Sequence, residues 1–491
     1  MELVDARAAL APAISLLCAA LVFASADNTF WRRFFSISAA LAKLVIVMSM
    51  LPGTLRGNVY VFNLVEFTEG VGLAFRADAL GMFFSVVSST LWLFTTIYAI
   101  GYMEREPNRR RFFGFFALCV STTVGVAFAE NLLTLFLFYE SLTICTYPLV
   151  VHDETPEAMK AGRKYLAYTL TGGAFVLLGS IVTYQLAGTM TLSQPGILSM
   201  DAGRPTLVLL FVALIAGFGV KAAIMPLHGW LPSAMVAPTP VSALLHAVAV
   251  VKVGAFGVLR TIYNIFGVEL LRELGVCDWL AVLAAFTILA ASLIAIFQDN
   301  FKRRLAFSTV SQLSYIVLGA ALLTPYAATA AIVHIANQAF AKITMFFVAG
   351  SIQRTTGKTS VHEFAGIGYR MPWTMGAFTI AALSFIGVPL FAGFVTKWYL
   401  SLGAMEAGAW WYALVMLGSA LLNAAYWLPV VYAAFFKTPP RAEVEVREAH
   451  WTMLGPTLIC AAYVIFLGAT ASVPGMPLAL ASAAVKFVFG M

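Results

Sequence analysis

The sequence predicts an all-α polytopic membrane protein with about 14 transmembrane helices, and three observations support that fold class. Of the 491 residues, 61% are hydrophobic and only 11% are charged, whereas charged residues make up about 25% of an ordinary soluble domain. The apolar residues form fourteen runs near the length of roughly 20 residues that crosses a bilayer. Basic residues collect in alternate loops between these runs. This composition excludes a soluble enzyme, a disordered regulator and a nucleic-acid-binding domain.

The fourteen predicted spans are numbered in chain order, and polar loops separate most of them. One connecting segment, 53–79, is long and alternates apolar with polar residues, which predicts a short hairpin over the outer face. The predicted spans are 8–25, 31–52, 80–102, 112–129, 131–151, 164–188, 206–230, 239–262, 276–297, 304–323, 326–352, 373–402, 409–436 and 453–472.

The distribution of basic residues predicts the orientation of the chain in a cell (inner) membrane. The side that carries more Lys and Arg is expected to be cytoplasmic, which places both termini on the outer side. The net charge of +7 is mainly a consequence of this topology, and no nucleic-acid partner is predicted. The richer side carries Arg32, Arg33, Arg105, Arg109, Arg110, Arg111, Lys160, Arg163, Lys164, Lys302, Arg303, Arg304, Arg354, Lys358, Arg370, Lys437, Arg441 and Arg447, and the other side carries Arg7, Arg56, Arg76, Arg204, Arg260, Arg272 and Lys486.

Neither a metal site nor a bound cofactor is predicted. The cysteines are scattered, without a C-x-x-C motif or the spacing of a zinc or iron–sulfur site. No phosphate-binding loop, dinucleotide fingerprint or haem ligand set is recognisable. Energy for transport is therefore expected from an ion gradient or a companion subunit.

Several ionisable residues remain inside the predicted spans. A charge at the membrane centre costs on the order of 2.5–3.5 kcal/mol, so such side chains usually face a cavity or a partner. Glu140 is the one acid well inside a span, and Lys43 has a side chain long enough to snorkel to an interface, which is what we expect of it. The others are Lys221, Lys252, Lys342, Lys397, His228, His246 and His334.

Structural alternatives exist for these residues. Glu140 could form a purely structural ion pair with a lysine, and His228 and His246 could be hydrogen-bonded core histidines. His334, Gln338 and Lys342 share one stripe of span 11. That stripe indicates a wetted helix face or, alternatively, interhelical packing through hydrogen bonds.

Two spans contain interruptions close to a buried lysine. Pro226 follows Lys221 in span 7, and proline removes a backbone donor and crowds the preceding turn. Interrupted helices at corresponding places indicate a transporter with an internal repeat. Because an odd number of spans separates the two interruptions, the second copy is predicted to be inverted. In span 12 the interruption before Lys397 consists of Gly387, Pro389 and Gly393.

These features divide the chain into four predicted regions. They are 1–110 with spans 1–3 and the outer hairpin, 111–265 with the first five-helix repeat (spans 4–8), 275–436 with the second, inverted repeat (spans 9–13), and 437–491 with span 14 and the C-terminal tail.

Buried lysines beside one carboxylate predict a proton relay. In this hypothesis Glu140 is an electrostatic switch, Lys221 holds the proton, Lys252 relays it and Lys397 gates the far side. His228, His246, His334 and Lys342 would form an auxiliary proton path, and the region of His246 would support the middle of the path. Sodium prefers several oxygen ligands, and one carboxylate in the spans does not supply them. The chain itself is therefore expected to conduct protons.

Several segments resemble the antiporter-like subunits of Mrp-type sodium/proton antiporters, respiratory complex I and membrane-bound hydrogenases. The most specific segments are 220–232 (VKAAIMPLHGWLP), 237–246 (APTPVSALLH) and 251–254 (VKVG). The region around Glu140, 299–308 (DNFKRRLAFS) and 393–397 (GFVTK) also match.

The resemblance implies fourteen helices with inverted five-helix repeats and a proton path matching Glu140, Lys221, Lys252 and Lys397. It also implies a hetero-oligomer with other membrane subunits, and the length resembles the D-type subunit of Mrp-type antiporters. The expected function is exchange of protons for sodium or a similar monovalent cation. A proton-pumping subunit of a complex I-type oxidoreductase or a hydrogenase is the main alternative, and a scaffold without transport is the third.

Three positions depart from the family pattern. Ser233 and Met235 stand where an aspartate and a histidine are common, and Gln338 stands where a second histidine is common. Glutamine carries no proton at neutral pH, so a relay through this stripe would have to use water or His334.

Overall fold

The computed structural model describes residues 1–25, 28–68, 71–438, 447–473 and 477–491. The chain is 79% helical, which confirms an all-α membrane protein. Twelve helices in the described part are long and apolar enough to cross a membrane. The count of fourteen crossings, the inverted repeats and the four regions stay predictions.

The first six helices correspond to predicted spans 1–6. The largest difference is at α6, which begins at Pro156 rather than near 164, because the Thr155 side chain caps a first turn that carries charged residues. The helices are α1 (Arg7–Ala24), α2 (Thr29–Leu55), α3 (Ala79–Tyr102), α4 (Arg109–Ala127), α5 (Leu132–Val150) and α6 (Pro156–Ala187).

The predicted hairpin between α2 and α3 is present. Strands β2 (Val59–Thr68) and β3 (Val71–Ala77) pair antiparallel, and β1 (Glu2–Val4) pairs parallel to β2. The sequence analysis did not predict β1, because three residues are too few for an alternating pattern to be recognised.

The middle of the chain is more interrupted than the sequence predicts. The predicted break in span 7 is present, since α7 ends at Lys221. Span 8 is also divided, by a π-helical turn at Leu244–Val248, although no proline or glycine marks that place. The helices are α7 (Arg204–Lys221), α8 (Trp230–Ser233), α9 (Thr239–Ala243), α10 (Val250–Arg260) and α11 (Val268–Leu274).

The last part of the chain contains the second predicted break, between Ile386 and Ala392. Gly393 lies just beyond this break, in the first turn of the next helix, so it is not part of the interruption. A final helix occupies most of the predicted tail. The helices are α12 (Val276–Ile296), α13 (Phe301–Ala321), α14 (Pro325–Thr356), α15 (Ile367–Arg370), α16 (Pro372–Ile386), α17 (Ala392–Glu406), α18 (Trp411–Phe436), α19 (Trp451–Ala469) and α20 (Pro477–Phe489).

Some basic residues are more buried than the sequence analysis predicts. Arg260 and Arg304, which the loop count included, are buried in α10 and α13 and donate hydrogen bonds to Asp78 and to backbone carbonyls, respectively. The prediction that Lys43 snorkels is wrong, because its side chain is fully buried between helices and lies over the Trp92 ring. Arg441 lies outside the described residues.

Candidate functional site

The end of helix α7 places a buried ammonium group against helix α5. Lys221 is the last residue of α7 and is fully buried. Its Nζ donates a hydrogen bond to the backbone carbonyl of Tyr139 and lies 3.4 Å from the centroid of the same residue's ring. A cation over an aromatic face is stabilised electrostatically, so Tyr139 partly replaces the water that Lys221 has lost.

Glu140 lies next to this contact and is half-buried. Its carboxylate interacts electrostatically with Lys221, but no direct ion pair within 4.0 Å joins these two described side chains. Its Oε1 has no hydrogen-bond partner in the described part of the chain. The carboxylate fits against Gly173 of α6, at the place that a β-carbon would occupy. Glu140 and Lys221 are therefore close but not locked together.

The π-helical turn before α10 positions His246 and Lys252 in the interior. Both are fully buried, and neither His246 ring nitrogen nor the Lys252 Nζ has a hydrogen-bond partner among the described residues. Gly254 lets α10 approach the end of α7, because a β-carbon there would fall 2.8 Å from the Lys221 Cβ. This close packing brings the helix of Lys252 beside Lys221.

The predicted stripe on α14 is buried and faces polar groups of other helices. His334 Nδ1 is 3.2 Å from the Thr396 Oγ1, and Lys342 Nζ donates to the Ser308 Oγ at 2.8 Å. Gln338 has no hydrogen-bond partner for either amide atom within the described ranges. Hydrogen bonding therefore holds two members of the stripe, while the third is free to bind water.

Electrostatic interactions connect these residues into one group. Lys252 interacts with Lys342 and with His334, Lys342 interacts with His246, and His334 interacts with Lys397. These are groups of like charge when protonated, and like charges in a buried site disfavour simultaneous protonation.

The break between α16 and α17 holds Lys397. Its Nζ donates to the carbonyls of Phe385 and Ile386, at 2.9 and 2.8 Å. These carbonyls belong to the last turn of α16, where helix acceptors have no intrahelical partner. Gly387 ends that helix with φ +92° and leaves room for the lysine side chain.

His228 stands apart from this group. It lies with the exposed Pro226 in the non-helical segment 222–229, is half-buried, and contacts the Phe307 ring at a centroid distance of 6.1 Å. Of the nine ionisable residues predicted inside the spans, the structure thus places seven in two adjoining groups, and Lys43 and His228 lie apart. Lys221 and Glu140 form one group, and Lys252, Lys342, Lys397, His246 and His334 form the other.

Sequence reasoning missed the partners that position these groups. Tyr139, Ser308 and Thr396 are common residue types on apolar helices, and only their neighbours in space distinguish them. The π-helical turn at His246 also has no sequence signal. No group of three or more possible metal ligands occurs among the residues that the structure describes.

Two family descriptions match the chain. "NADH:quinone oxidoreductase/Mrp antiporter, TM" matches residues 129–423. This range includes Glu140, Lys221 and the buried lysines and histidines of the second group described above. "NADH-Ubiquinone oxidoreductase (complex I), chain 5 N-terminus" matches residues 68–113.

Individual relatives cover most of the chain. It is 34% identical to the N subunit of the NADH-quinone oxidoreductase of Desulforudis audaxviator, over 89% of this chain and 90% of that protein. It is 26% identical to the D-type subunit of the Na(+)/H(+) antiporter of Alkalihalophilus pseudofirmus, over 89% and 88%.

Two solved structures have the same fold. A chain of the Mrp complex from Dietzia sp. superimposes with a TM-score of 0.89 at 22% identity, covering 99% of this chain and 97% of that one. A chain of the membrane-bound sulfane sulfur reductase, an archaeal respiratory membrane complex, gives a TM-score of 0.89 at 24% identity, covering 99% and 98%.

Proposed function

The chain belongs to the NADH:quinone oxidoreductase/Mrp antiporter family of membrane proteins, and from that premise we propose that it translocates protons within a multi-subunit cation/proton antiporter. Protons move through Glu140, Lys221, Lys252 and Lys397 in exchange for sodium or a similar monovalent cation. His246, His334 and Lys342 assist the middle of the path. The observation that carries the proposal is the group of buried lysines and histidines that lies beside Lys221 and Glu140.

The proposed cycle depends on the loose contact between Glu140 and Lys221. When the carboxylate approaches, it stabilises the charged lysine. When the carboxylate moves away, the buried ammonium loses its stabilising neighbour and releases its proton to water. That proton passes toward Lys252, and the repulsion within the group favours release near Lys397. Return of Glu140 allows Lys221 to take up a proton again.

The proposal includes the location, the orientation and the partners of the chain. We place it in the cell membrane with both termini on the outer side, in contact with other membrane subunits. The positive-inside distribution supports the orientation. The likeness to chains of two multi-subunit complexes supports the partners.

A redox-driven proton pump is the second candidate. The 34% identity to the N subunit of an NADH-quinone oxidoreductase favours it, and the same relay would serve both functions. Identification of the subunits that purify with the native chain separates the two. Soluble flavin and iron–sulfur subunits indicate the redox pump, whereas small membrane subunits alone indicate the antiporter.

The relay is tested in the native complex reconstituted into liposomes with an internal pH dye. We expect Lys221→Ala and Glu140→Gln each to reduce cation-dependent proton movement by at least about tenfold, equivalent to ~1.4 kcal/mol. Lys160→Ala, which removes an exposed lysine, is the control and should transport normally. Normal assembly with unchanged exchange in both relay variants would overturn the proposal and leave only a scaffold.

A further inference from the structure

Lys43 of helix α2 is a fully buried lysine outside the group described above. Its Nζ lies 4.0 Å from the centroid of the Trp92 ring on α3, and it interacts electrostatically with Cys18 on α1. In the described part of the chain, this ammonium group has no hydrogen-bond partner. An amine that makes no hydrogen bond in the membrane interior requires an explanation.

Unpartnered polar groups continue along the three helices on both sides of Lys43. On α3, Ser85, Ser89 and Thr96 occupy the helical stripe of Trp92, and none of their hydroxyl groups has a hydrogen-bond partner among the described residues. The Trp92 Nε1 is equally without a partner. The α3 stripe from Ser85 to Thr96 extends about 16 Å, at ~1.5 Å per residue.

The other two helices contribute hydroxyl groups of the same kind. Ser36 lies two turns from Lys43 on α2, and Ser15 lies one turn from Cys18 on α1. Both are buried, and both hydroxyl groups are without a partner within the described ranges. Buried serines on membrane helices commonly donate to the carbonyl of the preceding turn. Thr95 on α3 does so, donating to Leu91 O at 2.6 Å. The unpartnered hydroxyl groups of Ser85, Ser89 and Thr96 are therefore exceptions within their own helix.

We propose that helices α1, α2 and α3 enclose a water-binding site, in which a cluster of water molecules solvates the Lys43 amine and links it to these hydroxyl groups. The chemistry of the groups fits water. The amine and the indole N–H need acceptors, the hydroxyl groups can donate and accept, and a buried water molecule typically joins two to four such partners. Cys18 is the titratable group that faces Lys43 from α1, and α3 presents hydroxyl groups and the indole. Lys43 lies on α2, whereas the lysines of the proposed relay lie on α7, α10 and α17.

Hydroxyl-radical footprinting of the purified native complex tests this site, because radicals formed from bound water oxidise the side chains beside it. We expect Trp92 to be oxidised several-fold faster than Trp230. Trp230 is equally buried, but its Nε1 donates to Val220 O at 2.7 Å and needs no water. Equal oxidation rates at the two tryptophans would overturn the proposal, whatever the transport activity of the complex.

Matched variants locate the water. Lys43→Met and Ser89→Ala each remove a group that binds water in the proposed site, so both should lower Trp92 oxidation toward the Trp230 rate. Thr95→Val removes a hydroxyl group that is already satisfied and should leave Trp92 oxidation unchanged. Oxidation of Trp92 that is insensitive to both Lys43→Met and Ser89→Ala contradicts the site. If Lys43→Met does not assemble, the comparison of Trp92 oxidation in Ser89→Ala with that in Thr95→Val tests the site.

Discussion

The carboxylate of Glu140 lies against the α-carbon of Gly173, in the space that any other residue at position 173 would fill with its β-carbon. This contact packs α5 against α6, and the same carboxylate interacts electrostatically with Lys221. The absence of a side chain at Gly173 therefore leaves the space that the Glu140 carboxylate occupies.

Gly173→Ala tests that relationship. The added methyl group would displace Glu140 from its position near Lys221, and we expect cation-dependent proton movement to fall by about tenfold, or ~1.4 kcal/mol. Gly455→Ala is the matched control, since a β-carbon at Gly455 meets no atom within 4 Å. Transport by Gly173→Ala equal to that of Gly455→Ala would show that the position of Glu140 is unimportant.

Asp78 and Arg260 form the most deeply buried ion pair in the described part of the chain. The Arg260 guanidinium donates two hydrogen bonds to the Asp78 carboxylate, at 2.6 and 2.8 Å. Burial raises the pKa of Asp78, but the Arg260 guanidinium opposes this, and the net pKa is lowered. A lowered pKa stabilises the fold above the unfolded-state value of about 3.9, and this stabilisation is lost as the pH falls through the folded-state pKa. We expect Asp78→Asn to reduce the free energy of unfolding by roughly 3–5 kcal/mol at neutral pH.

The melting temperature of the detergent-solubilised chain at pH 7 measures this effect. Glu269→Gln is the control, because its ion pair with Arg272 is exposed, and such pairs contribute only about 0–1 kcal/mol. Equal melting temperatures for the two variants would mean that the Asp78–Arg260 pair does not stabilise the fold.

Gly387→Ala tests whether the helix break before Lys397 positions that lysine. The residue has φ +92°, and a β-carbon there would fall 2.7 Å from the Lys397 Cδ. We expect a cost of about 1–2 kcal/mol from the backbone conformation, together with reduced proton movement as Lys397 is displaced. Gly376→Ala in the same helix meets no atom within 4 Å and should leave both melting temperature and transport near normal. A near-normal melting temperature and near-normal transport in Gly387→Ala would contradict the proposal that the break positions Lys397.

Gln338→His places a titratable ring where neither amide atom of the glutamine has a hydrogen-bond partner among the described residues. If protons pass along α14, the substitution should be tolerated and should shift the pH at which exchange is fastest. The pH profile of proton movement in liposomes measures this shift. Complete loss of exchange in a normally assembled complex would count against a route along this helix.

Much of the helical architecture was predictable because lipid imposes a length and a polarity on each span. The breaks near Lys221 and Lys397 were predictable because glycine and proline act locally on the backbone. The division of span 8 at Leu244–Val248 was not predictable, since its residues are ordinary helix formers and only packing stabilises a π-helical turn there. The position of Lys43 was predicted wrongly because snorkelling assumes free lipid around the side chain, whereas α1 and α3 enclose it.

Sequence alone therefore determined that this chain crosses a membrane many times and keeps a few ionisable residues inside, because the cost of each buried charge is a property of the residue and its span. Tertiary structure decided which of those residues meet. Distances between Lys252, Lys342 and His334, the room that Gly173 leaves for Glu140, and the burial of Lys43 all depend on how separate helices pack. No local pattern encodes that packing, since it arises from contacts between residues far apart in the chain.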